Sequence, residues 1–269
     1  MLVTHVPRRA TASAIALAAA LAAIGPAGCG APDGAARPRD IPRPAATATA
    51  DTSGASRPAA TDTGRRAPAT LDTALLMSAD AARAQGDTAA PVVLLIVSDF
   101  QCPYCRAWHA ETYPQLRRDY IATGKVRAIY FNLPLPSHSH AWPAAEAAMC
   151  AAAQGRFWPM QDALFDAQGA WAGQARAGAV FDSLAASVGV RMDAFRDCER
   201  AHAARPLVES DNANAQRMGI ASTPTFIVVN ARGDRKATAI QGAQPLAQFR
   251  QVIDSVLAAG RGAPRAPGD

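Results

Sequence analysis

The longest unbroken apolar run that suits a strand is Pro91-Val-Val-Leu-Leu-Ile-Val-Ser98. It is short, rich in β-branched residues and bounded by turn signals, which predicts a strand buried on both faces. Val126 to Asn132 reads as a second strand, and Thr225 to Val229 as a third. A turn over Asn230 to Asp234 and a hairpin partner over Arg235 to Gln241 follow it. Between the first two strands, a helical stretch runs to about Tyr120. Residues 143–218 carry many alanines and periodic apolar positions, interrupted at Gly155, Gly173 and Gly189. That pattern predicts four or five short helices. Pro245 to Ala259 closes the domain as an amphipathic helix, with Leu246, Phe249, Val252, Ile253 and Val256 on one face. The folded part begins near Leu71, and the chain has no internal repeat.

Residues 30–70 have almost no large apolar side chains and are rich in Ala, Pro, Thr, Asp and Arg. Such a segment cannot bury enough surface to offset its ordering entropy, so it is expected to be a disordered linker. Residues 260–269 have the same character. The first 29 residues have the layout of a secretory signal: Arg8 and Arg9, then an uncharged small-apolar run from Thr11 to Ile24, then Gly25-Pro26. The run is too short for a spanning helix. Pro26-Ala27-Gly28-Cys29 resembles a bacterial lipobox, which would make Cys29 a lipidation site. Pro26 departs from the usual Leu, and secretion with cleavage near Ala27 is the alternative. The arginine pair also suggests a twin-arginine route, which the surrounding residues match poorly.

The net charge of +5 comes largely from arginines in these terminal stretches. No Lys/Arg block in the core forms a nucleic-acid footprint.

The chemistry concentrates in Cys102-Pro103-Tyr104-Cys105. This motif follows the buried strand and opens a helix. A cysteine there meets free N–H groups and the positive end of the helix dipole, which favour a thiolate. Its pKa is expected to fall from ~8.5 to roughly 3.5–7.5. Pro103 suits the first helical turn, where its missing N–H is not needed. Cys102 is therefore the candidate nucleophile and Cys105 the resolving thiol. A zinc site would need four ligands, and there is no second Cys-x-x-Cys. His138 and His140 are the other ligands such a site could recruit; none is assigned to metal.

Ser222-Thr223-Pro224-Thr225 leads into the third strand, and proline at a strand's first residue is notable. A cis Thr223–Pro224 bond beside the cysteine pair would let Thr223 offer its backbone to an extended substrate. With the order strand, Cys motif, helix, strand, helical insert, strand, strand, helix, the fold class is α/β: a thioredoxin fold with a helical insertion between its βαβ and ββα halves.

Ser98-Asp-Phe-Gln-Cys-Pro-Tyr-Cys105, Gln154-Gly-Arg-Phe-Trp158 and Ser222-Thr-Pro-Thr-Phe226 together resemble the DsbA-like thioredoxin family. The likeness covers roughly residues 71–258, within a domain placed at 71–259. It implies that Cys102 and Cys105 are the active pair, that Pro224 is the cis-proline, and that Pro103, Tyr104 and Thr223 meet substrate. Pro103-Tyr104 differs from the Pro-His of the best-known oxidases and matches glutaredoxins. Potentials across this fold span roughly 150 mV, or about 7 kcal/mol for two electrons. The 119-residue separation of Cys105 from Pro224 is far larger than a compact glutaredoxin allows.

Cys150 and Cys198 remain, near the first and fourth helices of the insert. Outside the cytoplasm a left-over pair is expected to close as a structural disulfide; two inert thiols are the alternative. Asp99 is expected to satisfy loop N–H groups, with a proton relay to the thiol as the alternative, His109 to be a surface or packing residue, and His138 and His140 to serve turn structure, with a place bordering the cleft as the alternative. Trp108, Trp142, Phe157, Trp158 and Phe165 are expected in the core. The expected activity is exchange of disulfides with protein thiols in the periplasm or cell envelope. It would use no bound cofactor, an unidentified redox partner, and attachment to the membrane through lipid at Cys29. The rivals are a copper- or zinc-handling protein of the same fold, and an anchored binding module without catalysis.

Overall fold

A computed structural model describes residues 72–232 and 236–261. The expected signal segment, Cys29 and the 30–70 linker lie outside these residues, as does the tail beyond Arg261. The order is α1 (Thr73–Ala82), β1 (Ala84–Gln85), β2 (Val92–Ser98), α2 (Pro103–Glu111), α3 (Tyr113–Leu116), a π-helical turn (Arg117–Ile121) and β3 (Val126–Asn132). The insertion follows as α4 (Ala141–Ala152), α5 (Phe157–Asp166), α6 (Gln168–Trp171), α7 (Gly178–Ser187), α8 (Met192–Arg200) and α9 (Arg205–Arg217). Then come β4 (Thr225–Asn230), β5 (Ala237–Gln241) and α10 (Leu246–Arg261).

The sheet order is β1-β3-β2-β4-β5. β2 pairs in parallel with β3 and antiparallel with β4, so it is central, as its unbroken apolar run requires. β5 lies at the edge, where only Ile240 is buried and the remaining positions are exposed. At the opposite edge, β1 adds two residues antiparallel to β3. Gly86 follows β1 at φ +102°, and a Cβ there would stand 2.6 Å from the Val126 carbonyl oxygen. Only glycine allows this turn to pass so close to β3.

On one side of the sheet, Phe226 of β4 meets Trp108 of α2 at 4.5 Å and Phe249 of α10 at 4.8 Å between ring centroids. Phe249 and Ile253 are fully buried. Burial of each contributes roughly 1.5–3 kcal/mol, which fixes α10 by its apolar face. The helix runs on to Arg261, past the expected end at Ala259. Phe157 and Phe165 are buried, while Trp142 and Trp158 pack partly exposed against the same core.

The insertion is built around α4, whose buried face is made mostly of alanine. Small side chains let α1, α5, α7, α8 and α9 all pack against it. It contains six helices instead of the four or five expected, because chain breaks also occur at Ala167 and at 201–204, where no glycine marks them. Cys150 of α4 and Cys198 of α8, the fifth helix of the insertion, form a disulfide with an S–S distance of 2.02 Å. Among the described residues, no helix is long and apolar enough to cross a membrane.

Candidate active site

β2 ends at Ser98, and the chain turns through Asp99, Phe100 and Gln101 into α2. Cys102 is the N-cap residue, in extended conformation, with Pro103 next in the first turn. The Cys102 N–H donates to the Asp99 carbonyl at 3.1 Å, and its own carbonyl accepts the first helical bond from Arg106 at 3.2 Å. Cys102 and Cys105 are both free thiols. Cys105 is 1% exposed and Cys102 3%, so the pair lies just beneath the surface, while neighbouring Tyr104 is 68% exposed.

The two sulfurs are electrostatically unequal. The Cys102 thiol is brought down to about 6, first because the Cys105 thiol hydrogen-bonds to it. Burial opposes this, while Thr223 and the backbone N–H groups of Cys105 and Tyr104 lower it further. The helix N-terminus therefore helps, as the sequence suggests, but the partner thiol is the larger influence. Burial and the neighbouring Cys102 sulfur push Cys105 well above the ordinary thiol range. One sulfur can hold a negative charge while the other keeps its proton.

The peptide bond between Thr223 and Pro224 is cis. The Cys102 sulfur lies 3.5 Å from the Thr223 carbonyl oxygen. The Thr223 hydroxyl is buried and has no hydrogen-bond partner. The segments carrying Cys102 and Pro224 thus meet, and Tyr104 stands exposed beside them.

Asp99 is occupied by its loop. One carboxylate oxygen accepts from the Gln101 N–H at 2.7 Å. The other accepts from the Leu135 N–H at 2.8 Å and lies 2.7 Å from His138 Nδ1. This places His138 on Asp99. His140 Nε2 lies 2.6 Å from the Gln174 carbonyl. His109 packs against Tyr113 and Phe165, with Nε2 2.8 Å from Asp162. Among the described residues, no group of three or more His, Cys, Asp or Glu side chains is arranged to hold a metal.

Residues 78–255, more than half of the chain, match the family described as Thioredoxin. The chain belongs to the thioredoxin family. Its fold is DsbA-like. It is similar to the crystal structure of Wolbachia pipientis alpha-DsbA1, with a TM-score of 0.61 and 23% identity over 66% of this chain and 92% of that one. Oxidised BdbD from Bacillus subtilis gives 0.58 and 22%, over 65% and 92%. Na(+)/H(+) antiporter NhaA 3 of Salinispora tropica is 32% identical over 165 residues, 60% of this chain and 24% of that protein. The probable disulfide bond formation protein D of Bacillus anthracis is 34% identical over 84 residues, 31% of this chain and 39% of that one. This thioredoxin-family chain thus spans less than half the length of these curated relatives.

Two site neighbours carry no signal in the sequence. Gln101 donates its side-chain amide to the Ala172 carbonyl at 2.9 Å and accepts from the His140 N–H at 2.6 Å. Gln168 reaches the loop from the insertion. A glutamine in an alanine-rich helical stretch looks like a solvated position, and only the tertiary packing turns it inward.

Proposed function

We propose that this chain is a thiol–disulfide oxidoreductase that exchanges disulfides with protein thiols through Cys102 and Cys105. The observation that carries the reading is the Cys102 sulfur, held at the start of α2, 3.5 Å from the Thr223 carbonyl. In the oxidised protein, a substrate thiolate attacks the Cys102 sulfur and breaks its bond to Cys105. Cys105 leaves with the electron pair and takes up a proton, as its burial favours. A second substrate thiolate then attacks the substrate sulfur of the mixed disulfide, and Cys102 leaves as a thiolate. The substrate dithiol is oxidised by two electrons and the Cys102–Cys105 pair reduced by two. An oxidised partner disulfide restores the pair by the reverse exchange.

Extended substrate would lie along Thr223 and Pro224, with Tyr104 and Pro103 at its side. Cys150 and Cys198 serve structure, not exchange. The leader-like first 29 residues support work in the periplasm or cell envelope, with Cys29 as the point of lipid attachment. The probable disulfide bond formation protein D, by its name, belongs to the same chemistry.

The test pairs two variants. Cys102→Ser should lose insulin reduction and dithiol-peptide oxidation. Cys105→Ser should accumulate a mixed disulfide through Cys102. Wild-type rates in Cys102→Ser would overturn the proposal.

A further inference from the structure

A buried glutamine of the helical insertion hydrogen-bonds the backbone of the loop carrying Cys102. Gln168 opens α6 and is 5% exposed. Its Nε2 donates to the Phe100 carbonyl at 2.7 Å and to the Cys102 carbonyl at 3.1 Å. An amide NH2 group has two hydrogens, one for each carbonyl. Among the described residues, no backbone N–H is bonded to the Phe100 carbonyl. Gln168 therefore satisfies a group whose burial without a partner is costly.

The amide is itself fixed. Trp171, three residues on, is fully buried and donates its indole N–H to the Leu164 carbonyl at 2.9 Å. Its ring meets Phe181 edge-on at 5.2 Å. α6 is thus pinned to α5 and α7, and Gln168 projects from a rigid base.

We infer that Gln168 is a positioning residue for disulfide exchange, holding the Cys102 carbonyl so that the Cys102 sulfur faces the N–H groups of the first turn of α2. The inference rests on the function proposed above and deepens it: the insertion sets the poise of the cysteine pair as well as the shape of the domain. Charge sits on this sulfur in the reduced protein and is absent in the disulfide. A bond that aligns donors toward the sulfur therefore favours the reduced form. The Tyr104 and Cys105 N–H groups that steady the thiolate depend on the turn that the Cys102 carbonyl begins.

The variants are Gln168→Met, which keeps length without donors, and Gln168→His, a softer change that can keep one N–H. Gln101→Met removes the side-chain hydrogen bonds from this loop to Ala172 and His140 without touching the Cys102 carbonyl. Two readouts apply. One is the equilibrium in which oxidised protein and two glutathiones give reduced protein and glutathione disulfide. The other is titration of the Cys102 thiolate by its ultraviolet absorbance, which needs no activity. Gln168→Met should lower the equilibrium constant about tenfold, equivalent to roughly 30 mV, and raise the thiolate titration midpoint. Gln168→His should shift both less, and Gln101→Met should leave both within twofold of wild type. A merely structural Gln168 would destabilise oxidised and reduced protein equally and leave both readouts unmoved, which would overturn the inference. Equal shifts in Gln101→Met and Gln168→Met would also overturn it. Failure of the wild type to equilibrate with glutathione would instead overturn the proposed function.

Discussion

Thr223 places its carbonyl oxygen 3.5 Å from the sulfur of Cys102, across a sequence separation of 121 residues. The contact joins the two halves of the fold, because Cys102 follows β2 and Thr223 precedes β4, and these strands are paired antiparallel. The Thr223 hydroxyl beside it is buried and bonded to no other group, so it is free to donate to the Cys102 sulfur once that sulfur is ionised, which is how the Thr223 side chain helps lower the thiol.

Thr223→Val keeps the shape and removes that hydroxyl. A hydrogen bond to a charged group is worth roughly 1.5–3 kcal/mol, so the variant should be at least about tenfold weaker as an oxidant in a glutathione redox buffer. The thiolate midpoint should rise above about 6. Unchanged values would remove Thr223 from the account of the thiol.

Glu199 gives a pH dependence of defined sign. Burial, then Asp182 and Glu146, raise its carboxyl from 4.5 to about 7 against the opposing Arg196. Between those values the folded chain holds a proton that the unfolded chain has released. Stability from this group is therefore lost as pH rises through that window. Glu199→Gln should be more stable than wild type above pH 7 and close to it below 4.5, as measured by urea unfolding at both ends.

Asp211 of α9 is 1% exposed and sits against Arg83. The same carboxylate oxygen accepts from the Asn132 N–H at 3.0 Å and from the Asn132 side-chain amide at 2.9 Å. Asp211→Ala would leave Arg83 with only the Asp80 carboxylate and the Tyr130 carbonyl as partners and would take the acceptor from both Asn132 donors, and should cost roughly 1–3 kcal/mol of stability. Chemical denaturation measures it, and a loss below ~1 kcal/mol would mean that the pair behaves like an exposed one.

The strands β2, β3 and β4 were legible because buried strands leave dense apolar runs. The Cys motif was legible because a strand precedes it and Pro103 follows its first cysteine. Residues 73–85 were not: in α1 the large apolar residues Leu75, Leu76 and Met77 are consecutive instead of lining one face and only Ala79 is fully buried, and β1 is two residues whose existence depends on Ala84 and Gln85 meeting Ile129 and Ala128. The six-helix count of the insertion was hidden for a similar reason, since Ala167 and residues 201–204 break helices without glycine or proline. In the site, Asp99 satisfies the loop N–H groups expected of it. Its pairing with His138 and the reach of Gln168 are long-range contacts, and spacing along the chain carries no trace of either.

The central claim is that Cys102 is the ionised, reactive sulfur and Cys105 its protected partner. The direct measurement is alkylation of the reduced protein across a pH series, with the two cysteines distinguished by fragment mass. The account predicts that Cys102 is modified first, with a midpoint near 6, while Cys105 stays protected. Cys102 that reacts only in the ordinary thiol range near 9, or Cys105 that reacts ahead of it, would contradict the account.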